Sequence, residues 1–333
     1  MSTLYDVDAN ARAVVFGLSG TSLNDAERAF FQEANPFGYI LFKRNVETPD
    51  QVRALCDSLR DLSGRNCPIL IDQEGGRVQR LNTPNWRAYP DARSFGEKAE
   101  RSLDEGLEAL RFNSLQMIED LKICGINVNC TPVADVLAPE THDVIGDRAF
   151  SSRADIVSRM ALSVCRHYLA SGVVPIMKHI PGHGRAAADS HLELPVVDAE
   201  AQSLQAIDFK PFADIAASEI GAQVWAMSAH VIYSAFDAEK PATISASVIE
   251  DVIRGTIGFN GVLISDDLDM KALASFGDPA EMAAESLQAG CDLALHCSGN
   301  MDVMAKIAEK TPKLAGSALK RLQSASEFRK LAA

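Results

Sequence analysis

The chain has 333 residues, 47% of them hydrophobic, with seven cysteines and a formal net charge of −13 at pH 7. That is enough apolar material for a large core, and an acidic chain without a basic stripe argues against a nucleic-acid partner. No apolar run of about 18 residues offers a membrane span, the opening MSTLYDVDANARAVVF lacks the build of a secretory signal, and the cysteines form no C-x-x-C pair, so a cytoplasmic enzyme with reduced thiols is expected.

The first strand candidate is AVVFGL (13–18), followed by Asn24 and Glu27 at capping-box spacing before a helix. Next come YILF (39–42) and Thr48-Pro49, an N-cap with proline in the first helical position. PILI (68–71) leads into a long loop (72–101) that carries Pro84, Trp86, Tyr89 and Pro90. Leu103, Leu107, Leu110 and Ile118 then recur at helical spacing, as core-facing residues do. INVNC (126–130), VPIMK (174–178), VWAMS (224–228) and VLIS (262–265) are further strand candidates; Asp278-Pro279 starts another helix, and DLALH (292–296) completes the set. Each run is short and apolar on both faces, the pattern of strands buried in a parallel sheet. Eight βα units without tandem repeats or a linker predict a single (β/α)8 TIM-type barrel over 1–333. A doubly wound sheet with an added domain is the alternative. The surplus length falls after the third, fourth and fifth strands.

In a barrel the C-terminal ends of the strands open onto one face, where function gathers. Strand three runs into Asp72-Gln73-Glu74-Gly75-Gly76-Arg77, and strand four into Asn129 and, after a loop, Gly146-Asp147-Arg148. Strand five ends at Lys178-His179, strand six at His230, strand seven at Asp266-Asp267 and strand eight at His296. One such residue is ordinarily just solvated. Six strands ending this way predict a polar active site.

The densest stretch is KHIPGHGRAAADSH (178–191). As a metal site it offers His179, His183, Asp189 and His191, but barrel metallohydrolases typically bring an H-x-H pair from the first strand, and here no histidine precedes His142. As a phosphate cradle it has Gly182 and Gly184, yet Pro181 removes a backbone donor. As a proton-transfer dyad, Asp189 and His191 lie two apart, on one side of an extended segment. A carboxylate there fixes the imidazole's tautomer and favours its protonated form, so the histidine can protonate a leaving group and later take a proton from water. The matching electrophile trap is ISDDLDM (264–270), whose carboxylate can attack an anomeric carbon and give net retention. By alternation, only one acid of the Asp266-Asp267 pair is expected to face the barrel mouth.

IDQEGGRVQR (71–80), KHIPGHGRAAADSH (178–191), MSAHV (227–231) and ISDDLDM (264–270) together resemble family 3 glycoside hydrolases. The likeness is strongest to the single-domain bacterial β-N-acetylglucosaminidases of that family and runs over nearly the whole chain. Ile180 stands where the family has an aromatic. The resemblance implies that Asp266 is the nucleophile, His191 the general acid/base and Asp189 its partner. It implies substrate-binding roles for Asp72, Arg80, Arg148, Lys178 and His179, and none for Glu74. It implies no cofactor, and removal of terminal N-acetylglucosamine from anhydro-muropeptides in cell-wall recycling. Phosphate in place of water as the second acceptor stays open. The rival readings are a metal-dependent barrel hydrolase using His179, His183 and His191, and a barrel that binds an amino sugar without cleaving it.

Overall fold

The computed structural model describes residues 3–139, 141–186, 188–190 and 193–327. Eight parallel strands close into a barrel: β1 Arg12–Gly17, β2 Pro36–Leu41, β3 Ile69–Ile71, β4 Val128–Asn129, β5 Val174–Ile180, β6 Trp225–Ser228, β7 Leu263–Asp267 and β8 Leu293–His296. Each pairs with its chain neighbour, and β1 closes on β8 through Val14–Ala294, Val15–Leu295 and Phe16–His296. The expected TIM-type barrel is the fold. Strand ends differ from the apolar runs by a few residues, because backbone pairing and not hydropathy sets where a strand stops. Thus β2 begins at Pro36 and β5 continues through Ile180.

The helices form the outer ring: α1 Asp25–Ala34, α2 Pro49–Ser63, α3 Ala92–Arg101, α4 Leu103–Ile123, α5 Ala154–Ala170, α6 Ala201–Ala206, α7 Lys210–Ala216, a π-helical stretch Val248–Thr256, α8 Pro279–Ala289, α9 Met301–Lys310 and α10 Gly316–Ser326. The sequence signals for three starts are realised. Asn24 and Glu27 form the capping box of α1. Thr48 caps α2 ahead of Pro49, and Asp278 caps α8 with Glu281 completing its box. On α4, Leu110 and Ile118 are buried while Leu103 and Leu107 pack at the core's edge.

The barrel's two ends differ in chemistry. At the N-terminal end Tyr5 packs edge-on against both Phe37 and Trp225, with Tyr5–Trp225 ring centroids 5.5 Å apart, and Trp225 Nε1 donates to Tyr5 Oη at 3.3 Å. That end is sealed by aromatic packing. The C-terminal end carries the polar strand ends. All seven cysteines are buried and unbridged, and no helix among the described residues is long and apolar enough to cross a membrane.

Candidate active site

At the C-terminal mouth, residues from three strands meet in one chain of ion pairs. Lys178 Nζ, on β5, lies 2.9 Å from Asp72 Oδ1, just past β3, and 2.6 Å from Glu74 Oε1. Asp72 Oδ2 accepts from Arg80 Nη2 at 3.0 Å. Glu74 takes Arg148 in a fork, Nε to Oε2 and Nη2 to Oε1, both at 2.9 Å. The order is therefore Arg80, Asp72, Lys178, Glu74, Arg148. A short antiparallel hairpin of Gln73–Gly75 and Val78–Gln79 holds the acidic end in place, with Gln73 Oε1 accepting from the backbone N–H of Arg80 and Leu81. Gly75 is needed there, since its φ is +102° and a Cβ would lie 2.2 Å from the Pro90 carbonyl oxygen.

Burial alone would neutralise these carboxyls, but the cations outweigh it. Asp72 is held well below its ordinary value by Lys178 and Arg80, and Glu74 is brought to about 2 by Arg148 and Lys178. Lys178 and Arg148 are raised in turn; burial opposes this, but the facing carboxylates prevail. The cluster is thus fully ionised. Glu74, for which the resemblance implies no substrate-binding role, joins Lys178 to Arg148 in it.

Asp266 and Asp267 end β7, and both line the pocket. The expectation that only one acid faces the mouth fails because the β7–β8 register shifts between Ile264 and Asp267, which breaks the two-residue alternation. Asp266 Oδ1 accepts from the backbone N–H of Asp267 at 2.8 Å. Burial pushes the Asp266 carboxyl up, yet His230, His179, that N–H and Lys178 bring it below its ordinary value, so it is an anion. Asp267 goes the other way, to about 7, because burial and the charges of Asp266 and Asp269 exceed the backbone donors it has. His230 lies between the strands, its Nε2 donating to the Asp267 carbonyl at 2.9 Å and its Nδ1 2.8 Å from Thr243 Oγ1.

The start of the histidine loop is anchored by a residue the sequence reading missed. Asp135 is fully buried; Oδ2 lies 2.8 Å from His179 Nδ1, and Oδ1 accepts from the backbone N–H of His179 and His183 at 3.2 and 2.7 Å. Its only sequence signal was a carboxylate inside the apolar run TPVADVL. His183 Nε2 lies 3.2 Å from Ser190 Oγ, and burial together with His179 lowers its pKa to about 4. The two glycines of this loop differ. Gly182 is at φ +138°, whereas Gly184 packs so closely that a Cβ would lie 1.8 Å from the Val136 carbonyl oxygen.

The pocket, about 730 Å³ including the space open to solvent, brings together Asp72, Glu74, Arg80, Arg148, Lys178, His179, His183, Ser190, Asp266 and Asp267, with apolar walls from Ile40, Phe42, Met227 and Met270. Of the sequence-predicted residues, Asp189 is half-buried beside Ser190, its carbonyl accepting from Glu193 N–H at 2.9 Å. His191 lies outside the described residues, and with it the third member of the His179–His183–His191 set. Asn129 is not a pocket residue. Its amide exchanges hydrogen bonds with the Gln73 backbone at 3.0 and 2.8 Å and ties β4 to the β3 loop. His296 lies fully buried behind the pocket. An ionised carboxylate beside fixed cationic donors, walled by apolar side chains, can hold a polyhydroxylated ligand by charge-assisted hydrogen bonds while one carboxylate attacks it.

The glycosyl hydrolase family 3 N terminal domain matches residues 10–325. A beta-hexosaminidase of Nitrosomonas eutropha is 35% identical over 285 residues, 86% of this chain and 80% of that one. One of Chromobacterium violaceum is 36% identical over 299 residues, 90% of this chain and 82% of that one. Among solved structures, that of NagZ from Neisseria gonorrhoeae in complex with N-trifluoroacetyl-D-glucosamine aligns with a TM-score of 0.86 at 29% identity, covering 96% of this chain and 91% of that one.

Proposed function

The chain belongs to glycosyl hydrolase family 3, and from that premise we propose that it is a retaining exo-β-N-acetylglucosaminidase acting as one barrel domain through Asp266, His191 and Asp189. The observation that carries this reading is the ionised Asp266 carboxylate in the same pocket as the Asp72–Lys178–Glu74–Arg148 chain. Asp266 attacks the anomeric carbon as the glycosidic bond breaks, and His191 gives its proton to the departing oxygen. The glycosyl-aspartate ester then yields to water, whose proton returns to His191, so two inversions restore the β configuration. Asp189 orients the imidazole and stabilises its cationic form. Asp72, Arg80, Lys178, His179 and Arg148 hold the hydroxyl and acetamido groups, positioned by Glu74 and Asp135.

The substrate on this reading is the terminal N-acetylglucosamine of 1,6-anhydro-muropeptides, released during cell-wall recycling in the cytoplasm. Support for an amino sugar comes from the named activity of the relatives and from the N-trifluoroacetyl-D-glucosamine in the NagZ structure. The test is the initial rate on an aryl N-acetyl-β-glucosaminide beside the matching aryl β-glucoside, with chelator present. Release from the acetamido sugar alone is the expected result; release from the glucoside alone, or from neither, overturns the proposal.

A further inference from the structure

At the β7–β8 side of the sugar pocket, whose lining includes Asp267, three side chains to which the proposed reaction gives no role converge. Carboxylate oxygens of Asp267 and Asp269 and a ring nitrogen of His296 all lie within 4.8 Å of one another. His296 is 0% exposed, yet its Nδ1 has no hydrogen-bond partner. That nitrogen lies 3.4 Å from Asp269 Oδ2 without the alignment of a hydrogen bond. The other ring nitrogen, Nε2, is 3.0 Å from Ser298 Oγ. The tautomer that donates from Nε2 to Ser298 leaves the buried Nδ1 lone pair unpartnered, 3.4 Å from Asp269 Oδ2. Asp267 Oδ1 already takes the backbone N–H groups of Asp269 and Cys297, at 3.2 and 3.1 Å, while no donor among the described residues reaches its Oδ2. Neither carboxylate is paired with a lysine or arginine among the described residues. Arg44, the cation nearby, donates to the carbonyls of Leu18 and Cys297 instead.

We propose that Asp267, Asp269 and His296 bind a divalent transition-metal ion of the zinc class, joining the loop after β7 to the end of β8. Two carboxylates and one imidazole suit zinc, and metal–ligand bonds of about 2.0–2.2 Å place tetrahedral ligands about 3.4 Å apart. Exposed Asp269 can close the remaining gap by rotating its side chain, and it gives the ion a path from solvent. The ion would sit one residue from Asp266 while binding to none of the groups assigned to the sugar. The inference does not depend on the glycosidase reading.

The test is calorimetric titration of the full chain, stripped with EDTA, with zinc chloride. One ion per chain is expected, with affinity reduced at least about tenfold by Asp269→Asn and by His296→Ala. Zinc should raise the Tm of the wild-type chain and not that of Asp269→Asn. Asp269→Asn keeps the side chain's size at an exposed position, so it gives an answer even if His296→Ala fails to fold. His183→Ala, in the histidine loop, should bind zinc as the wild type does. No zinc uptake, uptake indifferent to Asp269→Asn, or uptake lost only in His183→Ala would each overturn the proposal.

Discussion

Glu74 and Arg148 meet as a two-pronged ion pair, both contacts 2.9 Å, with side-chain exposures of only 7% and 10%. Removing the Glu74 charge strands buried Arg148 and takes from Lys178 one of its two carboxylate partners, leaving it Asp72. Glu74→Gln is therefore expected to cost about 3–5 kcal/mol of stability, the usual penalty for breaking a buried pair. The denaturant midpoint checks this, and a loss near zero would mean that water replaces the carboxylate.

The same group gives stability a pH dependence. Glu74 titrates near 2 in the folded chain, against about 4.3 unfolded. The unfolded chain therefore takes up the proton first, so the contribution is complete above the unfolded value and is lost as pH falls through about 2. Asp72, also depressed, acts in the same direction. His183, lowered to about 4 from an unfolded value of about 6.5, withdraws stability earlier, as pH falls between those values. Melting curves should show a decline beginning below about pH 6.5, and the gap between wild type and Glu74→Gln should narrow toward pH 2. A constant gap would show that Glu74 does not carry the shift.

Asp266→Asn should reduce glycosidase turnover by at least about 10³-fold with the melting temperature little changed, since it removes the attacking atom and not the packing. Asp267→Asn should be milder. The reverse order would assign the attack to Asp267.

Asp135→Asn should leave His179 in place but free to turn, and the cost of a misplaced contact is about 10²-fold in kcat/KM. Steady-state rates and the His179 ring resonances read this together; an unchanged rate with a displaced ring would remove His179 from the site.

The barrel was legible because each strand is a short apolar run closed by a polar residue, as in VPIMK before His179 and VLIS before Asp266. The lining of the pocket was legible where motif and strand end coincide, at Asp72, Lys178 and Asp266. What stayed hidden depends on three-dimensional partners. Asp135 belongs to no motif, and its purpose appears only when β5 brings His179 to it. Asn129 sits at a strand end like the pocket residues, yet its amide is spent on the Gln73 backbone. A register shift puts Asp266 and Asp267 into one pocket, and no alternation rule can show such a shift.

The ion-pair chain has a further consequence, for electroneutrality. Among the described pocket residues, Arg80, Arg148 and Lys178 are balanced by Asp72, Glu74 and Asp266, with Asp267 near 7 adding a fraction of a negative charge. Such a pocket has no surplus positive charge with which to draw in an anion. It favours a neutral sugar ring recognised by hydrogen-bond geometry, whereas in the glycosyl-aspartate ester the Asp266 charge is gone and the three cations face only Asp72 and Glu74 as full anions. Substrate KM should accordingly change little between low and high ionic strength.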